Sequence, residues 1–154
     1  MKILYICTHN RCRSILSEAI TNHLSDGRLI AKSAGSQPCG QVHPLSLRYL
    51  NEAGIATGHL QSQSWDEFED FAPDIVITVC DSAAKETCPV WFGNALQVHW
   101  GLKDPSKLTG SEEEKATAFR QTIEQISQRV QTLKQIASMD ASTWQEALIE
   151  QGAR

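Results

Sequence analysis

No stretch of this chain approaches the run of about 18 to 20 apolar residues that crosses a bilayer as a helix, so no membrane span is expected. It has no basic excess either: 14 Lys and Arg stand against 18 Asp and Glu, for a net charge of −4. A global footprint for nucleic acid is thereby excluded, and any cluster of arginines is local charge suited to a small anion. No internal repeat, low-complexity tract or linker divides the 154 residues, which are expected to form one domain, residues 1–154, with 137–154 as a C-terminal extension. Met1 runs directly into an apolar strand-like segment, without the pattern of a signal peptide, so a cytoplasmic protein is expected. Cysteine is the one type present in a telling number. Five is odd, and in a reducing compartment such thiols serve catalysis or metals rather than structural bridges. Zinc sites want close Cys and His pairs. Only Cys7 and Cys12 come near that spacing, and Cys39 has only His43 nearby. No metal and no cofactor is expected.

What is there starts with Cys7-Thr8-His9-Asn10-Arg11-Cys12-Arg13-Ser14. Lys2-Ile3-Leu4-Tyr5-Ile6 before it reads as a buried strand, and Ile15-Leu16-Ser17-Glu18-Ala19-Ile20 after it as a helix. A strand, a tight turn and a helix start direct several backbone N–H groups at one point, where the helix dipole also favours an anion. Cys7 at that turn is expected to titrate below the free thiol value of about 8.5, helped by the amides and by Arg13. A strand-ending cysteine can be a mere buried hydrophobe. The arginine, the hydroxyl and the strand–helix context together favour a nucleophile. Thr8, His9, Asn10, Arg11, Cys12, Arg13 and Ser14 form the candidate oxyanion cradle, with Asn10 suited to a left-handed turn and Ser14 to Cys7 or a helix cap. Cys12 is expected to pack under the loop.

The rest of the chain alternates strand and helix. Helices are expected over Ser14–Asp26, Leu45–Ala53 behind His43-Pro44, Ser64–Phe71, Glu112–Ile136 and within residues 140–151. The long one carries Ala116, Phe119, Ile123, Ile126, Val130 and Leu133 on one face. Strands are expected over residues 2–6, 28–34, 74–79 and 95–100. The result is an α/β fold, an open four-stranded parallel sheet flanked by helices, with ligands at the carboxyl edge of the strands. Cys7 and Cys80 both end strands at that edge. Cys80 and Cys88 bracket one segment. Were residues 80–88 helical, their Cα atoms would lie about 12 Å apart, and a bridge spanning about 4.4–6.8 Å would require the segment to unwind.

Cys7, Arg13 and Ser14 resemble the Cys-x5-Arg-Ser/Thr phosphate loop of the low-molecular-weight tyrosine phosphatase family. Within that family residues 1–136 resemble the three-cysteine arsenate reductases. The resemblance implies a low-molecular-weight phosphatase-like fold, and Cys80 and Cys88 as partners that pass a disulfide outward from Cys7. It implies that Asp104, in Asp104-Pro105, is the general acid. The tyrosine phosphatases commonly place aromatic residues next, whereas Ser106-Lys107-Leu108 follow here, which leaves an inorganic oxyanion, arsenate, as the substrate. Thioredoxin is the implied reductant, with glutaredoxin and glutathione as the alternative; a monomer is expected. Some relatives hold potassium through an Asn, a Glu and an Asp. Asn10, Glu18 and Ser33 correspond, but Gln63 stands at the Asp position, and no ion is assigned. Two other classes remain open: a phosphatase using Cys7, Arg13 and Asp104 alone, and a thiol module that binds arsenite without turnover.

Overall fold

The computed structural model describes residues 1–80 and 95–152. Four strands, β1 (Lys2–Ile6), β2 (Ile30–Ala34), β3 (Ile75–Thr78) and β4 (Leu96–His99), form one sheet in the order β2-β1-β3-β4. All three pairings are parallel, with Ile3 opposite Ala31 on one side and Ile75 on the other. β1 sits inside, which is why Ile3, Leu4, Tyr5 and Ile6 are all apolar and all fully buried. The Tyr5 hydroxyl meets Thr21 Oγ1 at 2.7 Å, so even the polar tip of this strand is satisfied. β4 lies at the edge, and there half-buried Leu96 and Val98 alternate with exposed Gln97 and His99.

Among the described residues the α-helices are α1 (Arg13–Leu24), α2 (Pro44–Glu52), α3 (Glu112–Ala137) and α4 (Trp144–Gly152). α1 packs on β1, β2 and α3, while α4 packs on α3 and β4. α1 stops because Asp26 and Gly27 take positive φ, and Arg28 N–H then closes a turn on the Ser25 carbonyl. That turn consumes Arg28, so β2 starts at Ile30 rather than two residues earlier. α3 starts at Ser111, whose Oγ accepts the Glu114 N–H. Three glutamates in its first turn complement the dipole. Its buried face differs from expectation at one place: Thr122 is in the core and Ile123 is only half-buried. The threonine is tolerated there because its hydroxyl donates to the Ala118 carbonyl at 2.9 Å. Residues 65–71 wind as 3-10 turns behind a Ser64–Glu67 capping box.

This arrangement decides where chemistry can happen. Cys7 follows β1, Gly35 follows β2, Cys80 follows β3 by two residues, and Trp100 follows β4. All four segments leave the sheet at its carboxyl edge. The chain order reverses between β1 and β3, the place where open parallel sheets form a crevice.

Candidate active site

The loop between β1 and α1 is shaped from outside. Cys7 N–H bonds the Ala34 carbonyl, carrying the β1–β2 ladder one residue past the strand. The carbonyls of Thr8, His9 and Arg11 then accept the N–H groups of Gln37, Cys39 and His43 at 2.9, 3.1 and 3.0 Å. In a trans peptide the carbonyl and the next N–H point opposite ways. Tying these carbonyls to residues 37–43 therefore turns the amides of His9, Asn10 and Cys12 inward. The His9 amide indeed donates to the Cys7 sulfur. Gly35 is where this outer segment comes closest: a Cβ there would lie 2.5 Å from the Thr8 carbonyl oxygen and 2.7 Å from that of Cys7. Both obstacles are backbone, so only glycine fits.

Beneath the loop Asn10 takes the expected left-handed conformation, φ 46°. Its Nδ2 donates to Ser14 Oγ at 2.8 Å and Ser33 Oγ at 3.0 Å, and its Oδ1 accepts the Gln63 N–H at 2.7 Å. Ser33 in turn donates to Glu18 Oε1 at 2.6 Å. Asn10, Ser14, Ser33 and Glu18 are all buried. Burial pushes the Glu18 carboxyl up from 4.5, against the pull of the Ser33 hydroxyl, of His59, whose Nε2 is 4.0 Å away, and of Lys32. This set satisfies itself. Asn10 and Ser33 already spend their oxygens on protein partners, and Gln63 contributes its backbone, so the residues do not fit a cation. Among the described residues no group of three His, Cys, Asp or Glu could hold a metal.

Arg13 opens α1 and faces the other wall. Its Nη1 donates to the Leu102 carbonyl at 3.1 Å, and Nη2 lies 3.7 Å from Asp104 Oδ2. Its Nε is buried with no hydrogen-bond partner among the described residues, so that donor is left to a ligand. Asp104 is fixed from its far side: Oδ1 accepts both the Ser106 N–H at 2.9 Å and the Ser106 hydroxyl at 2.5 Å. Oδ2 is thereby left on the Arg13 side. Cys7, His9, Arg11, Cys12, Arg13, Asp104, Ser106 and Lys107 enclose a cavity of about 60 Å³. One water needs about 10–15 Å³ of such space, so the cavity is of a size for a small tetrahedral ion.

Cys80 lies beside Cys7. It is buried, hydrogen-bonded to Cys7 through sulfur, and its Sγ is 3.8 Å from Thr8 Oγ1. Cys7, Cys12, Cys39 and Cys80 are joined in no disulfide. The expected depression of the Cys7 pKa is not found. The thiol is pushed up, first by the hydrogen bond with Cys80, then by burial and by the charge of Cys80; Arg13 and the His9 amide pull it down but are outweighed. Two touching sulfurs keep at least one proton between them, because both cannot ionise side by side. The expectation fails because it treats Cys7 as alone.

The remaining sites divide cleanly. His9, Arg11, Cys12 and Arg13 line the cavity as expected. Thr8 turns its hydroxyl to Cys80, and Asn10 and Ser14 support the loop from below. Ser14 neither caps α1 nor bonds Cys7 in this arrangement; it receives Asn10. Burial pushes the Cys12 thiol up to about 12, with the Ser46 and Ser106 hydroxyls opposing. Cys39 is exposed and donates to the Gln41 carbonyl. Cys88 lies outside the described residues. Sequence reasoning misses Ser106, the Leu102 carbonyl and the His59–Glu18 contact. A serine two after an aspartate is the ordinary signal of an Asx turn, which could have found Ser106.

With this geometry in view, comparison with known proteins is decisive. The family described as low molecular weight phosphotyrosine protein phosphatase matches residues 2–143. The chain belongs to that family. Its expected reach is thus extended past residue 136, and only α4 lies beyond it. An arsenate reductase of Halalkalibacterium halodurans is 34% identical over 130 residues, 84% of this chain and 92% of that one. A glutaredoxin arsenate reductase of Synechocystis is 27% identical over 86% of this chain and 95% of its own. Among solved structures, an arsenate reductase in the phosphate binding state superposes with a TM-score of 0.74 at 26% identity, covering 89% of this chain and 98% of the other. A thioredoxin-dependent arsenate reductase of Corynebacterium glutamicum gives 0.67 at 26% identity, over 88% of this chain and 61% of that one.

Proposed function

We propose that this protein reduces arsenate to arsenite through its own thiols. The observation that carries the reading is the second sulfur: Cys80 is buried in hydrogen-bond contact with Cys7, which itself lines an anion-sized cavity. A phosphatase needs one sulfur, whereas a second one touching it is what a disulfide relay needs. The names of the relatives support the same substrate.

The oxyanion sits against the inward amides of the loop and the Arg13 guanidinium, whose fork geometry matches two oxygens. Whenever Cys80 holds the shared proton, Cys7 is the thiolate, stabilised by Arg13 and the His9 amide. Its sulfur attacks arsenic; an As–S bond forms, and one oxygen departs as water with a proton from Asp104 Oδ2. Cys80, once deprotonated, attacks the Cys7 sulfur. An S–S bond forms, the As–S bond breaks, and its electron pair leaves with arsenic as arsenite. Cys88 then attacks Cys80, frees Cys7 as thiol and carries the disulfide outward, where a dithiol protein reduces it. Thioredoxin is that protein in this reading, with glutaredoxin and glutathione as the alternative.

The test is NADPH consumption on arsenate with thioredoxin and its reductase, run beside a glutaredoxin–glutathione system and beside phosphoester hydrolysis. Arsenate-dependent turnover with thioredoxin is expected. Turnover only with glutaredoxin replaces the partner, and phosphoester hydrolysis without arsenate reduction overturns the reading. Cys88→Ser is expected to release about one arsenite per enzyme and stop with Cys7 and Cys80 joined, visible by mass spectrometry. Cys80→Ser is expected to stop earlier, with little arsenite released.

A further inference from the structure

The cavity mouth carries two cations that the mechanism leaves unused. Arg11 leaves the loop and Lys107 leaves the short helix after Asp104; both are exposed, and both line the cavity that holds Cys7. Elsewhere in this net-acidic chain, Arg120 and Lys134 are answered by Glu52 and Asp26 at 2.6 Å each. Among the described residues no carboxylate answers Arg11 or Lys107. Asp104, the one acid among the described residues of the cavity wall, faces Arg13 and Ser106 instead.

We propose that Arg11 and Lys107 are specificity-determining residues that distinguish substrate from product by charge, drawing in the ionised oxyanion and leaving an uncharged product unheld. This rests on the arsenate-reducing reading. Arsenate, like phosphate, is largely a dianion near neutral pH. Arsenious acid is a much weaker acid and leaves its site neutral. Charges at the open mouth interact through water, so they act over several ångströms, weakly and in proportion to ligand charge. They also touch no bond that changes, so they bind ground state and transition state alike. Their mark is therefore on KM rather than on kcat. The consequence is directional: the same two groups that raise occupancy by arsenate add nothing to retention of arsenite.

The experiment compares wild type with Lys107→Gln, Arg11→Gln and the double variant. Three quantities are read: KM and kcat for arsenate, inhibition by added arsenite, and calorimetric affinity of the reduced protein for inorganic phosphate. Each single change is expected to raise KM for arsenate and Kd for phosphate by about three- to tenfold, from one unit charge acting on a dianion across water. kcat is expected to hold within about twofold, arsenite inhibition to stay unchanged, and the salt dependence of KM to flatten in the double variant. Unchanged phosphate affinity in the double variant overturns the proposal. So does arsenite inhibition that weakens in parallel with arsenate binding, since that marks a general distortion of the pocket. Should wild type reduce no arsenate, the functional reading fails on its own. The phosphate arm still decides whether these cations capture an oxyanion.

Discussion

The two walls of the cavity are built in opposite ways. The Cys7 loop is continuous in sequence, its supporting side chains are buried, and it is tied down from two sides by residues 33–43 and Gln63. The Asp104 wall reaches the site from the far edge of the sheet. It is held by Ser106 and by Arg13, and the Arg13 and Asp104 side chains keep 15% and 14% of their surface exposed. In the proposed reaction the first wall binds an anion without adjustment, because its donors are already aimed, and the second delivers a proton, which needs one carboxylate oxygen left accessible on the cavity side. Rigidity belongs to binding here, and access belongs to proton transfer.

Four substitutions break or sharpen that contrast. Arg13→Lys strikes where the walls meet, removing both the buried Nε donor and the contact to Asp104. An ammonium cannot reproduce either, so kcat/KM for arsenate is expected to fall by about 10²–10³. Retained efficiency would remove Arg13 from the site. Asp104→Asn touches only the delivering wall: kcat is expected to fall by about 10² through loss of the acid, while calorimetric phosphate affinity holds or improves. Weakened phosphate binding instead would show Asp104 to be part of the cradle.

Asn10→Ala touches only the binding wall. It leaves a left-handed alanine and unpaired buried hydroxyls, at a cost of about 2–4 kcal/mol by denaturant titration. Phosphate affinity is expected to fall with it, even where the protein remains folded. The smallest effect is at the end of the same network. Burial raises the Glu18 carboxyl above 4.5, so its contribution to stability is fully present below that pH and is lost as pH rises through the folded value. Glu18→Gln keeps the Ser33 hydrogen bond without a charge. Stability is expected to decline less between pH 4.5 and neutrality than in wild type; an identical decline in thermal melts across that window would assign the slope to another group.

Much of this contrast is legible in the order of residues along the chain. The β1 run, apolar from Ile3 to Ile6, suits an interior parallel strand, and Cys7 to Arg13 suits its turn into a helix. Asn10 signals a left-handed residue through its side-chain chemistry alone, and it takes that conformation. These are local matters: period, cap and turn preference are properties of neighbours along the chain. Asp104 is legible by resemblance, since nothing in one aspartate before a proline names its partner. Lys107 stands out in the sequence only as the lack of an aromatic.

What composition and pattern determined, then, is the parallel sheet, the strand–turn–helix cradle and the placing of two strand-ending cysteines at one edge. What tertiary structure decided is how these groups see each other. Cys7 carries every signal of a depressed pKa within eight residues, yet Cys80, more than seventy residues away, pushes it up because parallel pairing of β1 with β3 sets the two sulfurs in contact. The Asn10–Ser33–Glu18 chain, the clash that reserves Gly35 and the seat of Asp104 opposite Arg13 are decided in the same way. A residue's type determines which charges and bonds it offers. Coulomb and hydrogen-bond energies depend on distance through space, and only the folded chain sets that distance.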